Sequence, residues 1–558
     1  MRFNTPLLFT VNSILFVGAA AFESDNEIHS THYNLRHNNS RRLQTNECVL
    51  LLKAIKYEDQ TESEEVDCYD EETDSFSRIT SQNEEDDDIV QKQLLSRFKS
   101  GKLQSSVSTM LQRGSYFEDG SLKLQSKSLD ESIFSKRAGG GRKLATSGSK
   151  KYVVVRVNAN DSVNSNTESF LRDKWFGTSG DPFTYKSQVE ACSYNKVTVV
   201  PYNGNGVSGG AMSLNVNTNA QGQNNDKVAS KARTTLSSSI RSSVDHYAFC
   251  LPAGSNGNWI GWAYVNHQMS VFNVGWCNKA SLLIHEIGHN WNLRHSGERD
   301  IYDDQTGLMG YSYNLDNGPR MCFNAPKSSQ LGWYSDREIV VREGWAGKLY
   351  GVASYTQATK EDAVILKIPS GTNNKNVDTF ISFNGKKGIN SEVVEYSNKV
   401  LIHTRSYATA ESDLIQTLGS GSVSLTSSLS VNVVSISGSD YAIVEIGNGK
   451  YEDSFDDSCG EPKSRAEFTK GDKKRVRKCS WVAKRTRNRC KKWQHAKQFC
   501  PITCAAYGGD CALDATGLIE LSKGGEMMSC NDITDQSKSK LCSNTVISSA
   551  CRASCKDD

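Results

Sequence analysis

Long apolar runs are missing from most of this 558-residue chain. After the N-terminal stretch, none approaches the roughly 20 apolar residues needed to cross a bilayer. With 37 % apolar and 23 % charged residues, a polytopic membrane protein is excluded. A dominant charge is also lacking, since 65 Lys/Arg nearly cancel 63 Asp/Glu to leave +2. The cancellation is not uniform. Residues 22–147 hold 17 Lys/Arg against 23 Asp/Glu, a net −6, whereas residues 451–558 hold 20 against 15, a net +5. An acidic front and a basic tail point to separate tasks. Histidine is scarce, ten in all, so any cluster of it carries weight. At roughly 100–200 residues per domain, the length implies about three to five units.

The chain opens MRFNTPLLFTVNSILFVGAAAF, with Arg2, an apolar stretch from Leu7 to Val17, and the small run Ala19–Ala21. That is the pattern of a secretory signal cut near Ala21. Thr10, Asn12 and Ser13 interrupt it, which argues against an uncleaved anchor. An exported, soluble protein is predicted. Sixteen cysteines suit that route as disulfides. They fall into even groups: Cys48 and Cys68; Cys192, Cys250, Cys277 and Cys322; and ten from Cys459 to Cys555. Asn38 and Asn160 begin glycosylation triplets.

Residues 22–147 read as an acidic pro-region. The segment CVLLLKAIKYED could hold a strand or a helix, and the acidic and Ser-rich stretches after it are expected to bury little surface. It closes on SKRAGGGRKLATSGSKK, a Gly/Ser linker with dibasic pairs Lys136–Arg137 and Arg142–Lys143, where a processing protease would cut. From Tyr152, strands (YVVVRVNAND, VTVVPYNG, HYAFCLP, WIGWAYVNHQMSVFN) alternate with a helix predicted over Asp226–Val244, as in an α+β or α/β domain. From about Trp333 to Gly449, period-two stretches such as SVSLTSSLSVNVVSIS predict an all-β module, plausible as a sandwich. The tail repeats five cysteines at offsets of 51 or 52 residues, from Cys459 to Cys504 and from Cys511 to Cys555. If Cys511 completes the first unit, the ten divide into six and four.

The chemistry is concentrated in SLLIHEIGHNWNLRHSGERD. His285 and His289 stand one helical turn apart on one face, and His295 follows. Three of the ten histidines thus lie within eleven residues. Neutral imidazoles suit zinc, and three protein ligands with one open position are the pattern of a catalytic site. Glu286, one position on from His285, can serve as a base without being a ligand. For His295 to join, the helix must turn back, and Asn292 is the residue there that best tolerates the left-handed conformation. The competing reading is a buried helix with satisfied histidines.

The pattern H-E-x-x-H-x-x-(G/N)-x-x-H, followed by YDDQTGLMGYS and CFNAPKSSQLGWY, resembles the gametolysin (autolysin) family of metzincin zinc metallopeptidases over roughly residues 150–335. The resemblance implies an α+β metzincin-type catalytic domain, a twisted sheet plus an active-site helix. It also implies Zn2+ held by His285, His289 and His295, with Glu286 as general base. Met309, 14 residues past His295, matches the methionine turn that forms an apolar floor under the ligands. Tyr311 matches a tyrosine that stabilises the oxyanion; a packing role is the alternative. Asn292 replaces the commoner glycine. No clear P-R-C-G-type cysteine switch precedes the domain, and Cys48 and Cys68 are expected to pair, so thiol-based latency lacks support. An extended substrate is expected to add as a strand near WAYVNHQMSVFN.

In the tail, Lys470–Lys492 holds twelve Lys/Arg and one acid, with Trp481 inside and Trp493 just beyond. A site for anionic polysaccharide and a merely solvated basic face are both open readings. The CPITC and CRASC endings resemble ShK-toxin-like modules, although the second unit lacks a cysteine after Cys555. Assembled, the expectation is multidomain: signal peptide 1–21, pro-region and linker 22–147, catalytic domain 148–335, all-β module 336–452, and a small disulfide-rich tail 453–558 with repeats 459–511 and 511–555. The expected function is that of a secreted zinc endopeptidase acting on extracellular matrix or cell-wall protein, with no nucleic-acid partner and no membrane span after signal removal. Its rivals are a matrix- or polyanion-binding protein on an inactive scaffold and a toxin-like protein acting through its tail.

Overall fold

A computed structural model describes residues 47–500, apart from 112–115, 119–120, 125–128, 137–145, 301, 372–376, 427–428, 452–465, 471–472 and 494–495. Beyond 500 it describes only 504, 519–520, 527–530, 533, 541, 543, 547 and 551. The expected signal segment, the Asn38 triplet and both dibasic pairs (Lys136 excepted) lie outside these residues. So do Cys459, Cys511, Cys542 and Cys555. Among the described residues no helix is long and apolar enough to cross a membrane.

The protein is a mixed α/β structure. Its largest sheet has 13 strands among the described residues. Ala211–Asn215, Gly148–Asn158, His246–Leu251 and Met269–Asn273 lie side by side and parallel. Strands covered on both faces need apolar residues at successive positions, which YVVV and HYAFCL provide; all six residues of His246–Leu251 are buried. The next strand, Trp259–Tyr264, turns back antiparallel to Met269–Asn273 through a tight turn in which Asn266 has φ +56°. The single run WIGWAYVNHQMSVFN is therefore two strands. Helices Glu168–Phe176 and Tyr185–Cys192 lie on one face of the sheet, where Trp175, Tyr185 and Val189 join a buried cluster with Ile284, Ile287 and Met309. Disulfides Cys192–Cys322 and Cys250–Cys277 close the middle group within itself.

The acidic front departs from expectation. The stretches after CVLLLKAIKYED, expected to bury little, bury Val66, Ile79, Val90, Leu94 and Phe98. CVLLLKAIKYED itself supplies a strand, Glu47–Tyr57, which forms an antiparallel hairpin with Glu62–Asp70 and pairs on its other side with Trp259–Tyr264, extending the same sheet. Alternation explains how. Val49, Leu51 and Ile55 point into the cluster that holds Val153, Phe249 and Trp262. Leu50 and Leu52 point the other way, onto Val90, Leu94 and Phe98 of helix Asp87–Lys99. The acidic residues that follow this strand dominate the segment's composition and mask the two-sided pattern. Cys48 pairs with Cys68, as expected from their isolation.

The helix predicted over Asp226–Val244 is broken into Asn225–Thr235 and Ser238–Ser243. Leu236 is extended, and the Ser237 hydroxyl caps the second helix by accepting from Ser239 N. Thr234, Thr235 and the serines after them favour caps over helix interiors. Further on, six- and four-stranded sheets share a buried cluster that includes Ile381, Ile402, Val433 and Val444. The six-stranded sheet also takes in Ser296–Gly297, which pair in parallel with Ser412–Asp413. In the tail, Cys479–Cys500 and Cys530–Cys551 are the equivalent pair of the two repeats, and Cys490–Cys504 closes the first again.

Candidate metal centre

Helix Ala280–Asn290 is buried along all 11 residues, as its apolar positions all round require. It ends where the sequence predicts. Asn292 adopts φ +68°, Asn292 N donates to His289 O at 2.8 Å, and Leu293 N donates to Gly288 O at 3.0 Å. These are the two bonds of a Schellman turn, and they send the chain back so that His295 faces the helix.

The three imidazoles converge. Ring centroids lie 4.9 Å apart for His285 and His289, 4.6 Å for His289 and His295, and 5.5 Å for His285 and His295. Their ligand atoms, together with a carboxylate oxygen of Glu62, all lie within 4.8 Å of one another. Nδ1 of His285 faces Leu308 O at 2.7 Å, and Nδ1 of His289 faces Leu293 O at 2.9 Å. A carbonyl only accepts, so both rings carry their proton on Nδ1 and turn a bare Nε2 inward. Burial pushes all three pKa values down, that of His289 to about 3, which keeps the rings neutral. Among the described residues none of the three Nε2 atoms has a hydrogen-bond partner. Buried, neutral and unsatisfied, this donor set fits a first-row divalent metal ion.

Glu286 is buried beside them, and neither of its carboxylate oxygens has a hydrogen-bond partner among the described residues. Burial, and then the charge of Glu62, push its pKa well above the usual carboxyl range. It lies against Gly261 of Trp259–Tyr264, the edge strand, so called because the N-terminal segment alone covers its outer side, and a Cβ there would stand 3.2 Å from Glu286 Oε1. Met309 packs beneath the helix, its sulfur so close to Gly288 that a Cβ there would lie 2.5 Å away. The neighbouring Leu308 O is the carbonyl that fixes His285. Tyr311 stands near Lys56, whose Nζ is 5.8 Å from the ring centroid, and tilts against Tyr313 at 4.7 Å.

Sequence reasoning missed several residues. Glu62 and Lys56, both in the acidic front, form a buried ion pair at 2.5 Å directly over the histidines. Glu62 Oε1 lies 3.4 Å from His285 Nε2, and Oε2 touches His295 Nε2. Tyr302 meets the His295 ring edge to face at 4.6 Å. On either side of His295 the chain is held differently. Arg294 pairs with Glu64 at 2.6 Å and with Glu411 at 2.7 Å. Behind it, Ser412 N donates to His295 O at 3.1 Å, and Ser296 N to Met309 O at 3.1 Å. Asp304 gathers Ser296 Oγ at 2.7 Å, Asn324 Nδ2 at 2.8 Å and His403 Nε2 at 3.1 Å. Burial raises the Asp304 pKa, but His403 and these bonds prevail and hold it at about 2. None of these residues carries a local sequence signal; each is brought in by pairing with distant strands.

A buried histidine triad arranged in this way could hold a metal ion. Residues 153–430 match the family model of gametolysin peptidase M11, and over that span the chain is gametolysin-like. The matched span contains all three histidines and runs past residue 335 into the sheets that follow. Autolysin of Chlamydomonas reinhardtii is 32 % identical over 91 residues, which cover 15 % of this chain and 14 % of that protein. No solved structure matches the chain.

Proposed function

We propose that the chain is a secreted zinc-dependent endopeptidase of the metzincin type, made as a precursor and acting on extracellular matrix or cell-wall protein. The observation that carries this reading is the convergence of three neutral imidazoles, with no hydrogen-bond partner at any Nε2 among the described residues, beside a buried Glu286. His285, His289 and His295 would hold the ion, and zinc bound there would supply Lewis acidity toward water and the scissile carbonyl. Glu286 takes a proton from the attacking water and returns it to the leaving amine; its raised pKa suits a group that must hold that proton in transit. Met309 supports the helix floor, and Tyr311 donates to the developing oxyanion. The even cysteine groups support an extracellular destination. The matrix assignment rests on the gametolysin likeness.

The tail supports a localising role. Lys470, Lys473, Arg475, Lys478, Lys484, Arg485, Lys491 and Lys492 are exposed. Arg489 stacks on Trp481 at 3.9 Å, a surface suited to an anionic polysaccharide. The ShK-like spacing supports a compact module for this purpose.

The test pairs bound-metal analysis of the full chain, cut within 137–145, with hydrolysis of a generic unfolded protein, beside Glu286→Gln. Equal stoichiometric zinc with a loss of about 10²–10⁴-fold in kcat for the variant is expected. Zinc in both with no hydrolysis in either would replace the peptidase by a binding protein on an inactive scaffold.

A further inference from the structure

The hairpin over the histidines has two features that a merely structural extension of the sheet would not need. Lys56 of the inner strand sits opposite Gly261 of the edge strand, and Glu62 of the outer strand sits opposite Lys56. Residues paired across neighbouring strands share a face. The face shared here is the one on which Gly261 borders Glu286. Because Gly261 has no side chain, the Lys56 and Glu62 side chains can both reach down into the site. Two residues along, on the same face, Glu64 reaches Arg294, the neighbour of His295.

The placement of the Glu62 carboxylate is the second feature. Oε1 serves Lys56, but Oε2 is buried against His295 Nε2 and has no hydrogen-bond partner among the described residues. His285 and His289 have their Nδ1 protons committed to carbonyls, so a carboxylate oxygen 3.4 Å from His285 Nε2 meets a lone pair, not a proton. The Nε2 lone pairs of His285 and His289, facing each other and a carboxylate, repel unless a cation lies among them. Meanwhile Lys53–Lys56 pair antiparallel with Tyr264–Gly261, the edge on which an extended peptide would otherwise add as a strand.

We propose that Glu62 is the fourth protein ligand of a divalent transition-metal ion held by His285, His289 and His295. The strand Glu47–Tyr57 fills the substrate's place on the edge strand, so the uncut chain is closed at both positions. This rests on the peptidase reading above and adds a carboxylate from the N-terminal segment to its metal site. Opening the site requires withdrawal of the hairpin, which vacates the ligand position and the strand edge in one movement.

The test uses the full chain loaded with Co2+, whose visible spectrum reports its ligands, and acetohydroxamate as a small competing ligand. The parent should bind acetohydroxamate about tenfold or more weakly than Glu62→Gln and Glu62→Asp, and both variants should shift the cobalt bands. Glu65→Gln, on the opposite face, should match the parent. Identical spectra and affinities in the parent and both Glu62 variants would overturn the proposal. The peptidase reading would stand if the chain cut within 137–145 still hydrolyses protein. Absence of cobalt binding throughout, with no hydrolysis, would overturn both readings. If neither variant folds, the parent decides: acetohydroxamate binding as tight before linker cleavage as after cleavage and removal of the N-terminal segment overturns the proposal, and clearly weaker binding before supports it.

Discussion

His295 is held from two sides by regions of opposite character. In front, the N-terminal hairpin grips its neighbour Arg294 through side-chain charge, Glu64 against the guanidinium. Behind, the C-terminal sheet grips its own backbone, with Ser412 N on His295 O and Ser296–Gly297 paired as a strand. The hairpin and the turn after it are attached elsewhere in the same way, by Lys53 to Asp226 at 2.9 Å and by Asp74 to Arg241 at 2.7 Å. The hairpin also pairs as a strand and buries Val49, Leu51 and Ile55 in the central cluster, and the rear region adds Glu411 on Arg294, but only the rear bonds the His295 backbone itself. The difference separates a contact suited to release from one that must persist if the histidines are to stay converged.

Substitutions can set the two supports against each other. Arg294→Met should have the largest effect on the full chain, about 3–5 kcal/mol by chemical denaturation, because it strands the buried Glu64 carboxylate. The loss should shrink once the N-terminal segment is gone. Asp304→Asn should cost less, about 1–3 kcal/mol, but the same with or without the hairpin, and should weaken metal retention against a chelator. An equal response of both variants to hairpin removal would erase the distinction.

Acid should act on the rear support next. The Asp304 pKa is depressed from 3.8 to about 2 in the folded protein. Its contribution is therefore fully present above pH 4 and lost as pH falls from about 4 toward 2. That amounts to about 2 kcal/mol in the parent, to be read from the difference between parent and Asp304→Asn denaturation curves across that window. The smallest effect is expected far from both supports. Arg489→Ala removes the stacking on Trp481, costs about 0.5–1 kcal/mol, and should leave metal binding unchanged.

Much of the metal centre was legible because its determinants are local. The spacing of His285 and His289 is a property of one helix, and Asn292 announces the turn that returns His295, as its φ of +68° bears out. The strands of the central sheet were legible for the same reason, through runs such as YVVV. Glu62 was not. It is one of many acidic residues in its segment, and only the register of Glu47–Tyr57 on the edge strand, some 200 residues away in the chain, selects it from its neighbours. The hairpin's capacity to bury surface was hidden similarly, since its apolar residues serve two different cores on alternate faces. The split of the predicted helix at Leu236 was within reach of a closer reading of its Thr/Ser run.

The order of strands in the large sheet has a consequence for wear. Glu47–Tyr57 lies between Trp259–Tyr264 and the strands Glu62–Asp70, Ser75–Ser81 and Ser121–Leu124, which follow one another outward. The outer strands can fray, or be nicked by a passing protease, without breaking the pairing of Lys53–Tyr57 with Trp259–Tyr264, although Phe76 stacks on Tyr264 from outside. Damage that begins at the rim works inward through sacrificial layers, so the seal fails last where it matters most.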